Sequence, residues 1–249
     1  MLHLRCTWVI PCLLLLIISL AANGGLLLVA RQQYQVVNGV RLDPLNLDYF
    51  PATPPEQTEG MTAVFFGDSR AAQWPAPDDL ADIHFINRGI GGQTSAQIVA
   101  RFDAHIRPLQ PDILIVQMCI NDLKTVAIFP NYQEQIIASC QHNINQVVQE
   151  ATAMGATVIL TTVFPIGEFP WHRRLVWSPA IDTAVTATNS HIHSLAAENV
   201  IILDAYALLA DKSERLQTQY ATDELHLNPV GYELLNQELT KILDGQSHH

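Results

Sequence analysis

A chain of 249 residues that is 49 % hydrophobic and 15 % charged is long enough for one substantial domain with an appendage, and too apolar to be disordered throughout. Its formal net charge of −11 excludes a nucleic-acid partner, because no lysine- or arginine-rich run is present to neutralise a phosphate backbone.

The first element is the uncharged run over residues 8–30, long enough for the roughly 20 apolar residues that span a bilayer core. Two readings stand. As an uncleaved signal anchor it leaves Arg5 in the cytoplasm. As a cleaved signal peptide it uses residues 13–20 as the apolar region, with Ser19 and Ala21 as the small residues before a cut. Asn23-Gly24-Gly25 interrupts the run and favours cleavage; Leu26-Leu27-Leu28-Val29 resumes it and favours a span. The flanking charges, Arg5 before and Arg31 and Arg41 after, decide little. Residues 1–30 are thus a transmembrane helix or a signal segment. Either reading exports the rest of the chain to the periplasmic or extracellular side, secreted if the leader is cut.

Residues 31–60 read as a spacer punctuated by Pro44, Pro51, Pro54 and Pro55, with residues 42–47 able to dock against the exported domain. Residues 61–245 then carry a regular pattern. Apolar, β-rich runs at 62–66, 83–86, 113–118, 157–163 and 200–203 predict strands. Helix-compatible stretches fill 95–106, 132–154, 180–198 and 229–243. Asn228-Pro229 is a start signal for the last helix, and Gly155 stands where a left-handed cap would end the second. Strands this apolar, alternating with helices, predict a five-stranded parallel sheet buried on both faces, in a single three-layer α/β/α domain. Of the four cysteines, Cys6 and Cys12 lie in or beside the apolar run. Cys119 and Cys140 could pair in an oxidising compartment, but their apolar surroundings favour buried, unpaired thiols.

Ligands of open α/β sheets bind beyond the carboxyl ends of the strands, so the segments after each strand carry the chemistry. They are Gly67-Asp68-Ser69-Arg70, then Asn87-Arg88-Gly89-Ile90-Gly91-Gly92-Gln93-Thr94, then Cys119-Ile120-Asn121-Asp122. Near the end of the chain comes Asp223-Glu224-Leu225-His226. Ser69 sits at a strand-to-helix turn and needs a base to become a nucleophile. Asp223, three residues before His226, can hold the imidazole Nδ1–H and leave Nε2 to accept the serine proton. Gly92 can bring its N–H close to a substrate, and Asn121 offers an amide donor, which together suit an oxyanion. His191 and His193, two apart on a helix, point to different sides and make a poor metal pair.

Taken together and in this order, the four segments resemble the sequence blocks of the SGNH or GDSL-like hydrolase superfamily, most like its platelet-activating-factor acetylhydrolase-like branch. Ser69 matches the first-block serine, Gly92 the second-block glycine, Asn121 the third-block asparagine and His226 the last-block histidine. The resemblance implies a flavodoxin-like sheet, no metal, no cofactor, and hydrolysis of ester bonds in lipid or carbohydrate substrates. Two residues depart from it. Arg70 stands where the family name expects leucine and is read as tolerated variation; Cys119 replaces the usual glycine of Gly-x-Asn-Asp and is read as a compact apolar filler.

The loop over residues 164–174 should reach the rim of the site. Its Trp171 suits a sugar ring or an acyl chain, and Arg173 or Arg174 suits an anionic headgroup. Two other functions compete with a hydrolase: an acyltransferase that O-acetylates an envelope polysaccharide with the same serine, and a non-catalytic binding module on the same fold.

Overall fold

The computed structural model describes residues 3–51, 60–78, 80, 82–169, 171, 173 and 176–246. The chain divides into two compact units, Met1–Asn46 and Leu47–His249.

The first unit is one helix, α1 (His3–Leu42). Neither Pro11 near its start nor Gly24-Gly25 breaks it. Two of its amide side chains bond back onto the helix: Asn23 Nδ2 donates to the Ser19 carbonyl and Asn38 Nδ2 to the Tyr34 carbonyl, each at 2.7 Å. Over Trp8–Leu42 it is exposed and, by length and composition, apolar enough to cross a membrane. The helix corrects one expectation. Residues 31–42, assigned to the spacer, continue it, because the next helix-breaking residue is Pro44 and the Asp43 N–H still reaches the Gly39 carbonyl at 3.2 Å. Pro54 and Pro55 of that spacer lie outside the described residues.

In the second unit, residues just before the domain are already ordered. A 3-10 turn at Leu47–Tyr49 leads to Phe50, whose ring packs edge-on to His105 and lies under the Arg88 guanidinium at 4.5 Å. The sheet contains β1 (Met61–Gly67), β2 (Ile83–Gly89), β3 (Ile113–Gln117), β4 (Thr157–Thr161) and β5 (Val200–Leu203). They are all parallel, in the order β2-β1-β3-β4-β5.

Alternation along each strand builds two cores. Val64, Phe66, Leu114, Val116, Val158 and Leu160 face one side; Ala63, Phe65, Ile113, Ile115 and Ile159 face the other. The first side is covered by α3 (Ser95–Ala100), α4 (Phe102–His105), α6 (Gln133–Ala153) and α7 (Ala180–His193). The second is covered by α9 (Pro229–Gln246), with Trp74 and Leu209 filling beside it. This is the expected three-layer α/β/α architecture. Short helices α2 (Ser69–Ala72), α5 (Ile120–Leu123) and α8 (Ala205–Leu209) sit at strand exits.

Three expected elements differ. The helix expected over 95–106 is two, separated at Arg101, because that side chain turns fully inward and bonds the Gln93 side chain and the Gly67 carbonyl. The helix begun at Ala180 stops at His193, and Ala197 then bridges to Val200 ahead of β5. The strand expected over 157–163 ends at Thr161; beyond it the Val163 N–H and carbonyl turn to the Asn189 side chain.

Candidate active site

In this strand order the chain runs from β1 outward to β2 and then back across to β3, so a crevice opens between the carboxyl ends of β1 and β3. The turn leaving β1 is drawn tight against its neighbour: Asp68 N–H donates to the Gln117 carbonyl at 3.2 Å. A Cβ at Gly67 would collide with that same carbonyl, and one at Gly89 would collide with the Ala72 backbone. Asp68 caps α2, its Oδ1 accepting from Arg70 N–H at 2.9 Å. Ser69 is thereby held as the first residue of that short helix.

The candidate base, His226, comes from the segment before α9. Asn228 fixes that helix start: its Oδ1 accepts from Gly231 N–H at 3.0 Å, and its Nδ2 donates to the Gln219 carbonyl at 2.8 Å. Just upstream, Asp223 Oδ1 accepts the backbone N–H groups of Leu225 and His226, both at 2.8 Å, so the carboxylate folds its own turn. Its Oδ2 lies 2.8 Å from His226 Nδ1, and His226 Nε2 lies 2.9 Å from Ser69 Oγ. The network assigns the tautomer: Nδ1–H donates to Asp223, and Nε2 accepts from the serine hydroxyl. Partial burial alone would raise the Asp223 pKa, but the bonds from His226 and the two backbone N–H groups outweigh it and hold the carboxyl below its ordinary range. Asp223 is therefore ionised at neutral pH.

The glycine loop after β2 runs beside the serine. A side chain on Gly91 would stand 3.8 Å from Ser69 Cβ. Gly92 has φ +79°, a left-handed conformation that favours glycine, and open space on the side where a side chain would stand. Asn121, in α5, is tied to this loop by Nδ2 donating to the Gln93 carbonyl at 3.0 Å, while its Oδ1 accepts from Lys124 Nζ at 2.6 Å. The next residue, Asp122, accepts from Ser95 N–H at 2.8 Å and Ser95 Oγ–H at 2.6 Å, so the turn after β3 is fastened to the start of α3. Of the residues singled out from sequence, Ser69, Asp223 and His226 form one bonded chain, with Gly92 and Asn121 on the adjoining loop and turn.

The rim residues fall differently. Trp171 is 80 % exposed. Arg173 pairs with the buried carboxylate of Glu224, next to Asp223, so its charge is already matched within the protein; Arg174 lies outside the described residues. Beyond Gln93 and Asn121 a groove of about 390 Å³ is lined by Thr94, Asp122, Thr125, Phe129, Tyr132 and Ile136.

Three residues at or beside the site differ from their reading in the sequence. Cys119 and Cys140 form a disulfide, Cα to Cα 6.0 Å, and are not unpaired thiols. Cys119 ends the turn after β3 and Cys140 lies on the α6 face packed against that turn, within the span a disulfide can bridge. The only sequence signal was the shared apolar setting, which fits either state. Arg70, read as tolerated variation, is wholly buried beneath Ser69.

The family model for the GDSL-like Lipase/Acylhydrolase family matches residues 58–234. Among solved structures, a Bacteroides fragilis protein assigned as an acylhydrolase is similar at 25 % identity and TM-score 0.62, covering 80 % of this chain and 93 % of that one. A platelet-activating-factor-like protein of Streptococcus pneumonia shares the fold at 19 % identity and TM-score 0.67, covering 86 % and 99 %. A catalytic mutant of an acetylxylan esterase from Geobacillus stearothermophilus does so at 17 % identity and TM-score 0.56, covering 75 % and 95 %. No curated protein sequence matches the chain.

Proposed function

The chain belongs to the GDSL-like lipase/acylhydrolase family, and from that premise we propose that it is a serine esterase that cleaves acyl or acetyl esters of lipid or carbohydrate through a covalent acyl-serine intermediate. The observation that carries this reading is the unbroken hydrogen-bonded path from the Asp223 carboxylate through His226 to Ser69 Oγ. A surface histidine that merely capped a turn would have no reason to place its second nitrogen 2.9 Å from a serine 157 residues away.

In this mechanism His226 Nε2 takes the Ser69 proton as Oγ attacks the ester carbonyl, and Asp223 holds the resulting imidazolium. The N–H groups of Ser69 and Gly92, with the Asn121 amide, face the oxyanion. His226 then returns the proton to the leaving alcohol oxygen. Water repeats the sequence: His226 takes its proton, hydroxide attacks the acyl carbon, and Ser69 leaves as the free hydroxyl with the acid released. Trp171 and the Phe129–Tyr132 groove are the surfaces available to the two arms of the ester.

The helix α1 serves as the membrane tether in this reading, with the second unit on the extracytoplasmic side. The Cys119–Cys140 disulfide supports that side, since such bonds form and persist in oxidising compartments.

Turnover of p-nitrophenyl acetate by the full chain in detergent, beside Ser69→Ala and His226→Ala, tests the function. Each variant is expected to lose about 10³-fold or more in kcat. Equal turnover in all three proteins would remove the assignment.

A further inference from the structure

Arg70 follows the candidate nucleophile and is fully buried. Its Nε donates to the Leu225 carbonyl at 2.8 Å, its Nη1 reaches the Phe164 carbonyl at 3.4 Å, and the guanidinium lies over the Phe164 ring at 5.1 Å. Its own carbonyl accepts from the Tyr232 hydroxyl at 2.9 Å, so α9 fixes the backbone from behind. Leu225 is the residue before His226. One side chain therefore joins the backbone one residue past Ser69 to the backbone one residue before His226, across 155 positions of sequence.

Stability alone does not account for this residue. A guanidinium taken out of water is costly: its hydrogen bonds go to neutral carbonyls, and the nearby Asp68 carboxylate offsets only part of the burial, while a well-packed apolar side chain of similar volume usually serves a core as well or better. Burial pulls its pKa down to about 10, which leaves it charged at neutral pH. Its Nη2 has no hydrogen-bond partner among the described residues, so the surroundings are not a complete cage built around a cation.

The reaction cycle supplies a reason. The hydrogen bond between Ser69 Oγ and His226 Nε2 sets the reactive distance in the resting enzyme, but it is broken whenever Ser69 carries an acyl group. His226 must still be in place then to take a proton from water. We propose that Arg70 is a positioning residue of the esterase site: it holds the His226 segment in register with the nucleophile turn throughout the cycle, in the resting site that acylates and while the serine–histidine bond is absent. The Phe164 carbonyl, on the strand-exit loop after β4, extends the same tie to the loop that leads to Trp171. This inference rests on the serine-esterase reading.

The test uses the full chain in detergent with Arg70→Leu and Arg70→Lys beside the parent and Ser69→Ala. It reads kcat and KM for p-nitrophenyl acetate, the rate of Ser69 labelling by a fluorophosphonate, and Tm. Misalignment of reacting groups by an ångström costs about 10²-fold. Arg70→Leu is therefore expected to lower both kcat and the labelling rate by about tenfold to a hundredfold, with KM within about twofold. Arg70→Lys recovers part of the loss, because an ammonium can reach one carbonyl but lacks the fork to hold two. A folded Arg70→Leu with the parent's kcat and labelling rate overturns the proposal, as does a change confined to KM. If Arg70→Leu fails to fold, Arg70→Lys decides: a folded protein slowed severalfold in both readouts supports the role, and parental values overturn it. Failure of both variants to fold makes Arg70 a folding residue and also overturns it. A folded parent without Ser69-dependent turnover removes the esterase reading and this inference with it, whereas an active parent matched by both variants removes this inference alone.

Discussion

Asp68 and Asp223 sit within one residue of Ser69 and three of His226, and their carboxyls are pushed in opposite directions. Burial raises Asp68 to about 6, against the opposing pull of Arg70. Below about pH 4 the group is neutral in both the folded and unfolded chains. As pH rises from about 4 to 6 the unfolded chain loses the proton while the folded one keeps it, so stability falls through that window and levels above it. Each pKa unit is worth about 1.4 kcal/mol, which puts the loss on the order of 3 kcal/mol. Asp68→Asn keeps an oxygen for the Arg70 N–H and does not ionise. Its melting temperature should exceed the parent's by a margin that opens between pH 4 and 6 and then holds constant; a margin independent of pH would mean Asp68 is not protonated in the fold. Asp223 is held ionised, and replacing it with Asn removes the charge behind the imidazolium. Asp223→Asn should lower kcat by about 10²- to 10⁴-fold with the fold intact by circular dichroism. The adjacency of these residues to Ser69 and His226 was legible in the sequence because each bond partner on the base segment is local, three residues or fewer away. Arg70 was not legible, since its partners are 94 and 155 positions distant and nothing in the local pattern distinguishes a buried arginine from an exposed one.

Among the elements, the five strands were the most readable, because strands buried on both faces read as unbroken apolar runs. The breaks were less so. A helical period continues smoothly through Arg101, and only the inward pull of Gln93 and the Gly67 carbonyl shows why α3 and α4 are separate. The turn after β3 is the clearest case of a tertiary constraint on an element. Cys119 has φ +91°, where a side chain is strained by about 1–2 kcal/mol, and it opens the helix that carries Asn121. The disulfide to Cys140 closes a separation of 21 residues, for which the loop-entropy model gives about 3 kcal/mol. The pair Cys119→Ala with Cys140→Ala should therefore melt about 5–12 °C lower than the parent. Cys119→Gly with Cys140→Ala should recover part of that, because glycine adopts the left-handed turn freely. Equal melting temperatures for the two double variants would show that the turn's conformation is not under strain. Scanning calorimetry with and without reductant reads the same effect on the parent.

Over the whole molecule, the candidate site lies where the sheet reverses direction. The order β2-β1-β3-β4-β5 brings three strand exits to one edge, and α9 delivers the fourth segment to the same edge from the end of the chain. The sequence carried this arrangement as four short motifs in order; it did not carry the ties between them, which are the Arg70 side chain, the Asn121–Gln93 bond, the Asp122–Ser95 bonds and the disulfide. Composition likewise indicated the apolar amino-terminal segment but not that its helix runs on to Leu42. Irreversible labelling decides whether Ser69 is the nucleophile. The full chain is treated with a fluorophosphonate and the modified peptide is mapped by mass spectrometry. A single adduct on Ser69 is expected, absent from Ser69→Ala and slowed about 10³-fold in His226→Ala. An adduct on another residue, or none on a folded protein that still turns over p-nitrophenyl acetate, would contradict it.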